Sequence, residues 1–457
     1  MKNNENPLGY APISGLILKF ALPSILSLLV TSAYNITDQI FIGNVVGMLG
    51  NEATNVAFPV VTLTGALAQL AGIGTAANFN LGMGAKKEEE AKSYIGTGLL
   101  LSGILGVLIV AFTLIFSKQI LIICGATEAV MPLASSYLNI TAWGLFFLLF
   151  TTAVSNIIRS DGSPTYSMLC NIIGALLNVF LDYLLMFVFN MGIEGAAIAT
   201  VIGQAISFVL SFVYFFRFKA FKITLSMFNL KLKQVIGILS LGVANFINLA
   251  MIMLLNIVLN NVLKYYGKDS IYGADIPLAV SGVVSKISSI LIAISVGLAQ
   301  GCQPILGFNM GAKNYKRVRE TFIKAVIVSF SISIFFFIAF QFYPDNIILI
   351  FGSGDNLYIE FARKYLRIFL FFIFGFAIQP LAVNYFTATG NVFSGIVLST
   401  ARQGLVLIPF LIIFPMFWGL NGILYAGPAS DIITTSLAVI MVLANFAKLR
   451  KKTEQSL

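Results

Sequence analysis

Twelve apolar runs, each long enough to cross a bilayer, dominate this chain of 457 residues and leave little else to build a fold from. They are residues 14–44, 55–83, 94–116, 132–158, 165–189, 195–218, 235–263, 277–310, 322–342, 361–388, 392–417 and 419–447. A helix needs about 20 predominantly apolar residues to span the hydrocarbon core. Inside lipid every backbone polar group must find its partner within the segment, and helices do this. The predicted fold class is therefore an all-α integral membrane protein of twelve transmembrane helices. Composition excludes the alternatives. Only 10% of residues are charged, against about 25% in soluble domains, so the polar surface is too small for a water-soluble protein of this length.

Several chemistries are excluded as well. Histidine is absent, which removes the commonest metal ligand and the usual triad base. The three cysteines, Cys124, Cys170 and Cys302, are far apart and form no CxxC pair, so neither a zinc site nor a disulfide framework is expected. Proton chemistry falls to carboxylates. No enzyme activity and no cofactor are expected. The first apolar run, from Ile13, is long and has no small-residue cleavage site, so no cleavable signal is expected.

An even number of spans puts both termini on one side. Of the 28 Lys and Arg, twenty fall on that side, Lys2 and Arg159 among them. Six fall opposite (Lys118, Lys264, Lys268, Arg363, Lys364 and Arg367), and Lys286 and Arg402 lie within spans. Positive charge gathers on cytoplasmic loops. The expected location is the plasma membrane (the inner membrane in a two-membrane cell), multi-pass, with both termini cytoplasmic. The formal charge of +10 is then mostly a topology signal, and no nucleic-acid partner is expected.

The chain repeats internally. Residues 74–86 read GTAANFNLGMGAK, and 227 residues later 301–313 read GCQPILGFNMGAK. The same offset relates GIEG at 192–195 to GLNG at 419–422. Each half holds six spans, which predicts a first lobe at 1–218, a cytoplasmic amphipathic linker at 219–234 and a second lobe at 235–457. Two parallel halves about a central cavity are the general plan of alternating-access transporters. A loose GxGxxA pattern at 72–77 lies within a span with no preceding strand, and helix packing by small residues explains it better than dinucleotide binding.

An ionisable group at membrane depth is costly and points to function. Asp38, Asp182 and Asp431 are the carboxylates well inside spans. Asp38 shares a helix face with Asn35, three residues away, and Asp182 with Asn178, four away. Thr200 lies in the sixth span. Two carboxylates, an amide oxygen and a hydroxyl are hard oxygen ligands for Na⁺ or a shared proton, and two neighbouring carboxylates cannot both stay charged without a cation between them. The plainer reading is that each Asp pairs with a nearby donor. The repeat supplies a control: 227 or 228 residues on, Asn178 maps to Leu405 or Val406, and Asp182 to Pro409 or Phe410. The bundle itself thus does not require these carboxylates. Lys286, Arg402 and Asp431 form the charged set of the second half, read as structural, with Asp431 balancing Lys286 or Arg402.

Over nearly its full length the chain resembles the multidrug and toxic compound extrusion (MATE) transporters. The resemblance is carried by Leu22-Pro23 in the first span and Tyr34-Asn35-Ile36-Thr37-Asp38. It continues through the GMGAK and NMGAK ends, Asn156 with Arg159-Ser160-Asp161-Gly162, Asn178 with Asp182, and residues 192–200. It implies secondary active efflux of bulky apolar or cationic drugs in exchange for Na⁺ or H⁺. It also implies a cation-coupling site at Asp38, Asn178, Asp182 and Thr200, and a helix bend at Pro23. The family's second-lobe carboxylates are missing here. Tyr34, Asn35, Asn156 and Asn171 are candidates for the substrate cavity, and a monomer in the lipid bilayer is expected, with a drug-like small molecule as its partner. Three other readings remain. A lipid-linked oligosaccharide flippase of the wider superfamily would use Lys286 and Arg402. A membrane receptor or scaffold would transport nothing. An intramembrane aspartyl protease would need a GxGD pattern, which is absent at Asp182.

Overall fold

With no water to bond to, the apolar runs fold as helices that satisfy their own backbone. The computed structural model describes residues 6–351 and 355–454; Lys2 and the extreme ends of both predicted lobes lie outside them. The first lobe comprises α1 (Ile13–Val45), α2 (Met48–Gly84), α3 (Glu88–Ile123), α4 (Met131–Ser160), α5 (Pro164–Val188) and α6 (Gly192–Arg217). The second comprises α7 (Leu232–Gly267), α8 (Asp275–Gly311), α9 (Tyr315–Phe342), α10 (Asn356–Phe369), α11 (Gly375–Ala388), α12 (Val392–Trp418) and α13 (Leu420–Lys452). Eleven of these helices are long and apolar enough to cross a membrane.

The tenth predicted span is the exception: residues 361–388 divide into α10 and α11 around turns at 370–374. The turn sequence, LFFIF, is wholly apolar, so hydropathy does not register the break. Non-helical backbone is tolerated at membrane depth where protein covers it. Leu370 and Ile373 are buried, and short hydrogen bonds such as Gly375 N to Phe372 O (3.0 Å) close the turns. α1, by contrast, runs through Pro23 as one helix, with Pro23 buried. The Ser24 hydroxyl donates to Phe20 O at 2.9 Å.

The repeat is visible in the turns. Lys86 and Lys313 both hold left-handed φ, at 59° and 58°. So do the glycine pairs Gly162 and Gly390 (81° and 79°) and Gly192 and Gly419 (58° and 56°). Equivalent turns in the two halves reverse the chain with the same geometry.

The lobes meet along the half of the bundle nearest the termini. Gly74 abuts Ile238 O and Gly242 abuts Leu70 O, joining α2 to α7. Gly297 and Gly301 of α8 abut Ile25 and Ala21 of α1, and Gly84 and Gly311 bring the ends of α2 and α8 together. Hydrogen bonds follow the same seam: Asn78 Nδ2 to Gly237 O at 3.0 Å and Gln303 Nε2 to Ile73 O at 3.3 Å. Among the described residues no hydrogen bond joins the lobes in the other half. Within the first lobe, Gly72 packs against Ala153 of α4, so the GxGxxA stretch is a helix-packing surface.

The segment between α6 and α7 holds one helical turn, Leu225–Met227. The buried Asp161 carboxylate collects Tyr214 OH (2.6 Å), Lys219 N (2.7 Å) and Ala220 N (2.9 Å). Thr97 Oγ1 donates to Asn229 O at 2.9 Å. A buried carboxylate needs donors, and here it draws them from the linker backbone, strapping that segment to the first lobe.

Candidate functional site

Asp182 is the last residue of the α-helical part of α5, which continues as a π-helical turn, Tyr183–Val188. Such turns widen a helix and often accompany functional groups. Asp182 is fully buried, Asp38 of α1 is 9% exposed and Asn178 of α5 is 3% exposed. The two carboxyl groups are near enough for the charge of one to act on the other. Asn178 Nδ2 donates to Thr200 Oγ1 of α6 at 3.4 Å, which leaves its carbonyl oxygen free. Asp38 Oδ1, Asn178 Oδ1 and both Asp182 oxygens are buried without any protein donor. Leaving a buried acceptor unsatisfied costs about 1–3 kcal/mol, more if charged. A small hard cation would meet all four at once, whereas a single proton would join one pair of them. Tyr34 and Tyr137 lie near enough to feel both carboxylates. Sequence reading missed Tyr137. Its only signal was a polar tip within the apolar fourth span.

Beside this cluster lies a cavity of about 210 Å³, lined by α1, α4, α5 and α6, with Gln69 from α2 and Gln300 from α8. Tyr34, Asn156 and Asn171 line it, as do Asn178 and Thr200, so the cavity and the carboxylate cluster share a wall. Asn35 does not: it is exposed, although Asp38, one turn further on, is buried. Asn171 Nδ2 donates to Ser27 Oγ (2.9 Å) and Asn156 Nδ2 to Gln69 Oε1 (3.1 Å). Arg159, counted from sequence among the loop charges, is 6% exposed and lines the same cavity. Its spacing of three from Asn156 was the available signal.

In the second lobe Arg402 Nε meets Asp431 Oδ1 at 2.8 Å, both side chains buried. Lys286 stands apart from them, exposed. The repeat explains the placement. Counted 227 residues back, Ala401 and Arg402 correspond to Gly174 and Ala175, and Ser430 and Asp431 to Gly203 and Gln204. All four first-lobe partners line the cavity. An ion pair thus stands at the positions that, in the first lobe, border open space. Among the described residues no group of three or more His, Cys, Asp and Glu could hold a metal ion.

Comparison with known proteins agrees with this architecture. The MatE family profile matches residues 23–184 and again 246–413, once in each lobe. The chain is 25% identical over 434 residues to the multidrug export protein MepA of Staphylococcus aureus, covering 94% of each chain. It is 24% identical over 428 residues to MepA of Staphylococcus saprophyticus, covering 93% of this chain and 92% of the relative. Its fold matches a multidrug resistance MATE family transporter solved in an outward-facing conformation, with a TM-score of 0.91, 21% identity and coverage of 99% and 100%. A MOP superfamily transporter from Pyrococcus furiosus gives a TM-score of 0.90 at 21% identity, covering 97% and 98%. With the family profile matched in both lobes across most of its length, this chain belongs to the MatE family of multi-pass multidrug efflux transporters.

Proposed function

We propose that the protein exports bulky apolar or cationic drug-like molecules across the plasma membrane, in exchange for inward Na⁺ or H⁺. The observation that carries this is the set of donor-less buried oxygens on Asp38, Asn178 and Asp182, set against the wall of a cavity that shares Asn178 and Thr200 with them. A cation between the carboxylates neutralises the pair. Its loss leaves two like charges in a medium that screens them poorly. A ligand shifts a conformational balance only by its differential affinity for the two states. A cluster formed by α1, α5 and α6 has that property if the helices part or close as the lobes rock. The cavity wall mixes polar groups with the apolar side chains of Leu28, Phe147, Leu148 and Ala175, and this apolar part supplies affinity by area with little directional demand, which permits varied substrates. The substrate leaves unmodified, so no enzyme activity is assigned, and the protomer carries a complete site as a monomer.

Both termini and the linker belong on the cytoplasmic side, by the bias of Lys and Arg. With that orientation the seam between the lobes closes the cytoplasmic half. The flippase reading drew on Lys286 and Arg402 as cavity charges. The ion pair of Arg402 with Asp431 weighs against it.

The deciding experiment is efflux of fluorescent cationic drugs from proteoliposomes with Na⁺ and proton gradients imposed separately. Uphill movement on one gradient and not the other identifies the ion. Movement on neither, with protein shown to be inserted, would refute coupled export.

A further inference from the structure

The lipid-facing side of the second lobe carries a groove of about 220 Å³. It is walled by α9 from Arg319 to Ile327, by Ile378 of α11 and by α13 from Val439 to Phe446. Every lining residue but one is apolar, and the exception is Arg319. The floor is packed, with Phe322 and Val442 buried, whereas Ile327 and Leu443 on the walls are exposed. At the end nearest the termini, Phe322 and Phe446 pack edge to face, both against Tyr385. The Tyr385 hydroxyl donates to Asn445 Oδ1 at 2.6 Å, which fixes this ring cluster to α13.

The charge at the mouth stands at a definite depth. α9 has 28 residues, and its length of about 42 Å matches a bilayer with its headgroups, about 40–45 Å. Arg319 lies one turn inside its start, at the level of the lipid phosphates. Its neighbours are already engaged: Glu320 holds Lys324 at 2.9 Å, and Arg317 Nη2 donates to Ala11 O at 2.6 Å. Arg319 has the Phe446 ring, 5.9 Å from its Cζ, and among the described residues no carboxylate pairs with it. A planar guanidinium on a ring face keeps its N–H edge open to an oxyanion.

We propose that this groove binds an anionic phospholipid from the leaflet on the side of the termini, with one acyl chain along the groove and the phosphate on Arg319. From Arg319 to Ile327 the wall rises about 12 Å. A partner helix, about 10–12 Å across with its side chains, would overrun a space of this volume, whereas a single hydrocarbon chain lies along it. Arginine meets phosphate oxygens with two parallel hydrogen bonds, and basic pockets between membrane helices take anionic headgroups in this way. All three walls belong to the second lobe, so the site persists while the lobes rock, and the lipid braces α9 against α13. It lies outside the transport cavity, and neither the drug nor the coupling ion bears on it.

The test is lipid retention by purified full-length protein, read by native mass spectrometry. The protein is equilibrated with equal amounts of phosphatidylglycerol and phosphatidylcholine of the same chains. The choline ammonium opposes a guanidinium, so phosphatidylglycerol should be retained about fivefold better. In Arg319→Gln the two lipids should be retained about equally. Lys316→Gln removes the same charge from the same helix end, outside the groove, and should leave the preference unchanged. Ile323→Trp keeps Arg319 and sets a bulky side chain on the groove wall, at a half-buried, lipid-facing position; retention of both lipids should fall. Millimolar inorganic phosphate should displace neither. Equal retention by the unaltered protein, a preference that survives Arg319→Gln, an equal loss in Lys316→Gln, full retention in Ile323→Trp, or displacement by phosphate alone would each overturn the proposal.

Discussion

Replacing Gly297 with alanine should shift the balance between the two arrangements of the lobes. A β-carbon at Gly297 would stand 2.7 Å from Ile25 Cα and 2.8 Å from Ile25 N, both backbone atoms of α1. Carbon atoms rest at about 3.5–4.0 Å, so α1 and α8 must separate by about 1 Å or bend. Overpacking of this kind costs about 1–3 kcal/mol. The cost falls on the arrangement with the termini-side seam closed, because once the lobes part there the methyl group meets open space. A penalty of that size changes the ratio of the two arrangements by about 5- to 150-fold. Lys118 and Lys268 are exposed at the far ends of the two lobes. Spin labels there, on a background without Cys124, Cys170 and Cys302, report the opening by double electron–electron resonance in nanodiscs. Gly297→Ala should enrich the shorter distances. Gly282→Ala, on the same helix but with nothing within 4 Å of its added carbon, should leave the distribution alone. An unchanged distribution in well-folded Gly297→Ala protein would refute the argument that this seam sets the balance.

Asp38→Asn and Asp182→Asn should each abolish gradient-driven efflux while the protein still inserts, since asparagine keeps the volume but neither takes up a proton nor neutralises Na⁺. Near wild-type uphill transport by purified Asp38→Asn would sink the coupling assignment. Asp431→Asn removes the carboxylate opposite a buried guanidinium, and breaking such a pair costs about 3–5 kcal/mol. Thermal unfolding in detergent should show that loss, whereas the ion dependence of the surviving protein should not change. Leu225, 90% exposed on the linker, should react as Leu225→Cys with a membrane-impermeant thiol reagent in inverted vesicles but not in intact cells; labelling from outside would reverse the topology.

How much of this was legible in the sequence depended on how local each signal is. The membrane spans were, because crossing a bilayer demands about 20 apolar residues in a row, and a run is a property of the chain alone. The repeat was also legible, since equivalent turns at Lys86 and Lys313 need the same short motif. Polar residues inside spans marked themselves by their cost, which drew attention to Asp38, Asn178, Asp182 and Thr200 before any geometry was known. Other features depended on what packs against what. The break at 370–374 is apolar throughout, and only the neighbouring helices decide whether such a run continues or turns. Asn35 and Asp38 share a loose helical face, yet one is exposed and the other buried, because the rotation of α1 is set by its partners. Arg159 sits one residue before the end of α4 and counts as a loop charge by position. Gln300, on the other lobe and 141 residues away, completes its surroundings. Asp431 had two cations to choose from, and the fold of α12 against α13 selected Arg402. Apolar length and motif are written along the chain. Which polar group faces which is decided by helix rotation and lobe contact, and the residues that decide it are distant in sequence.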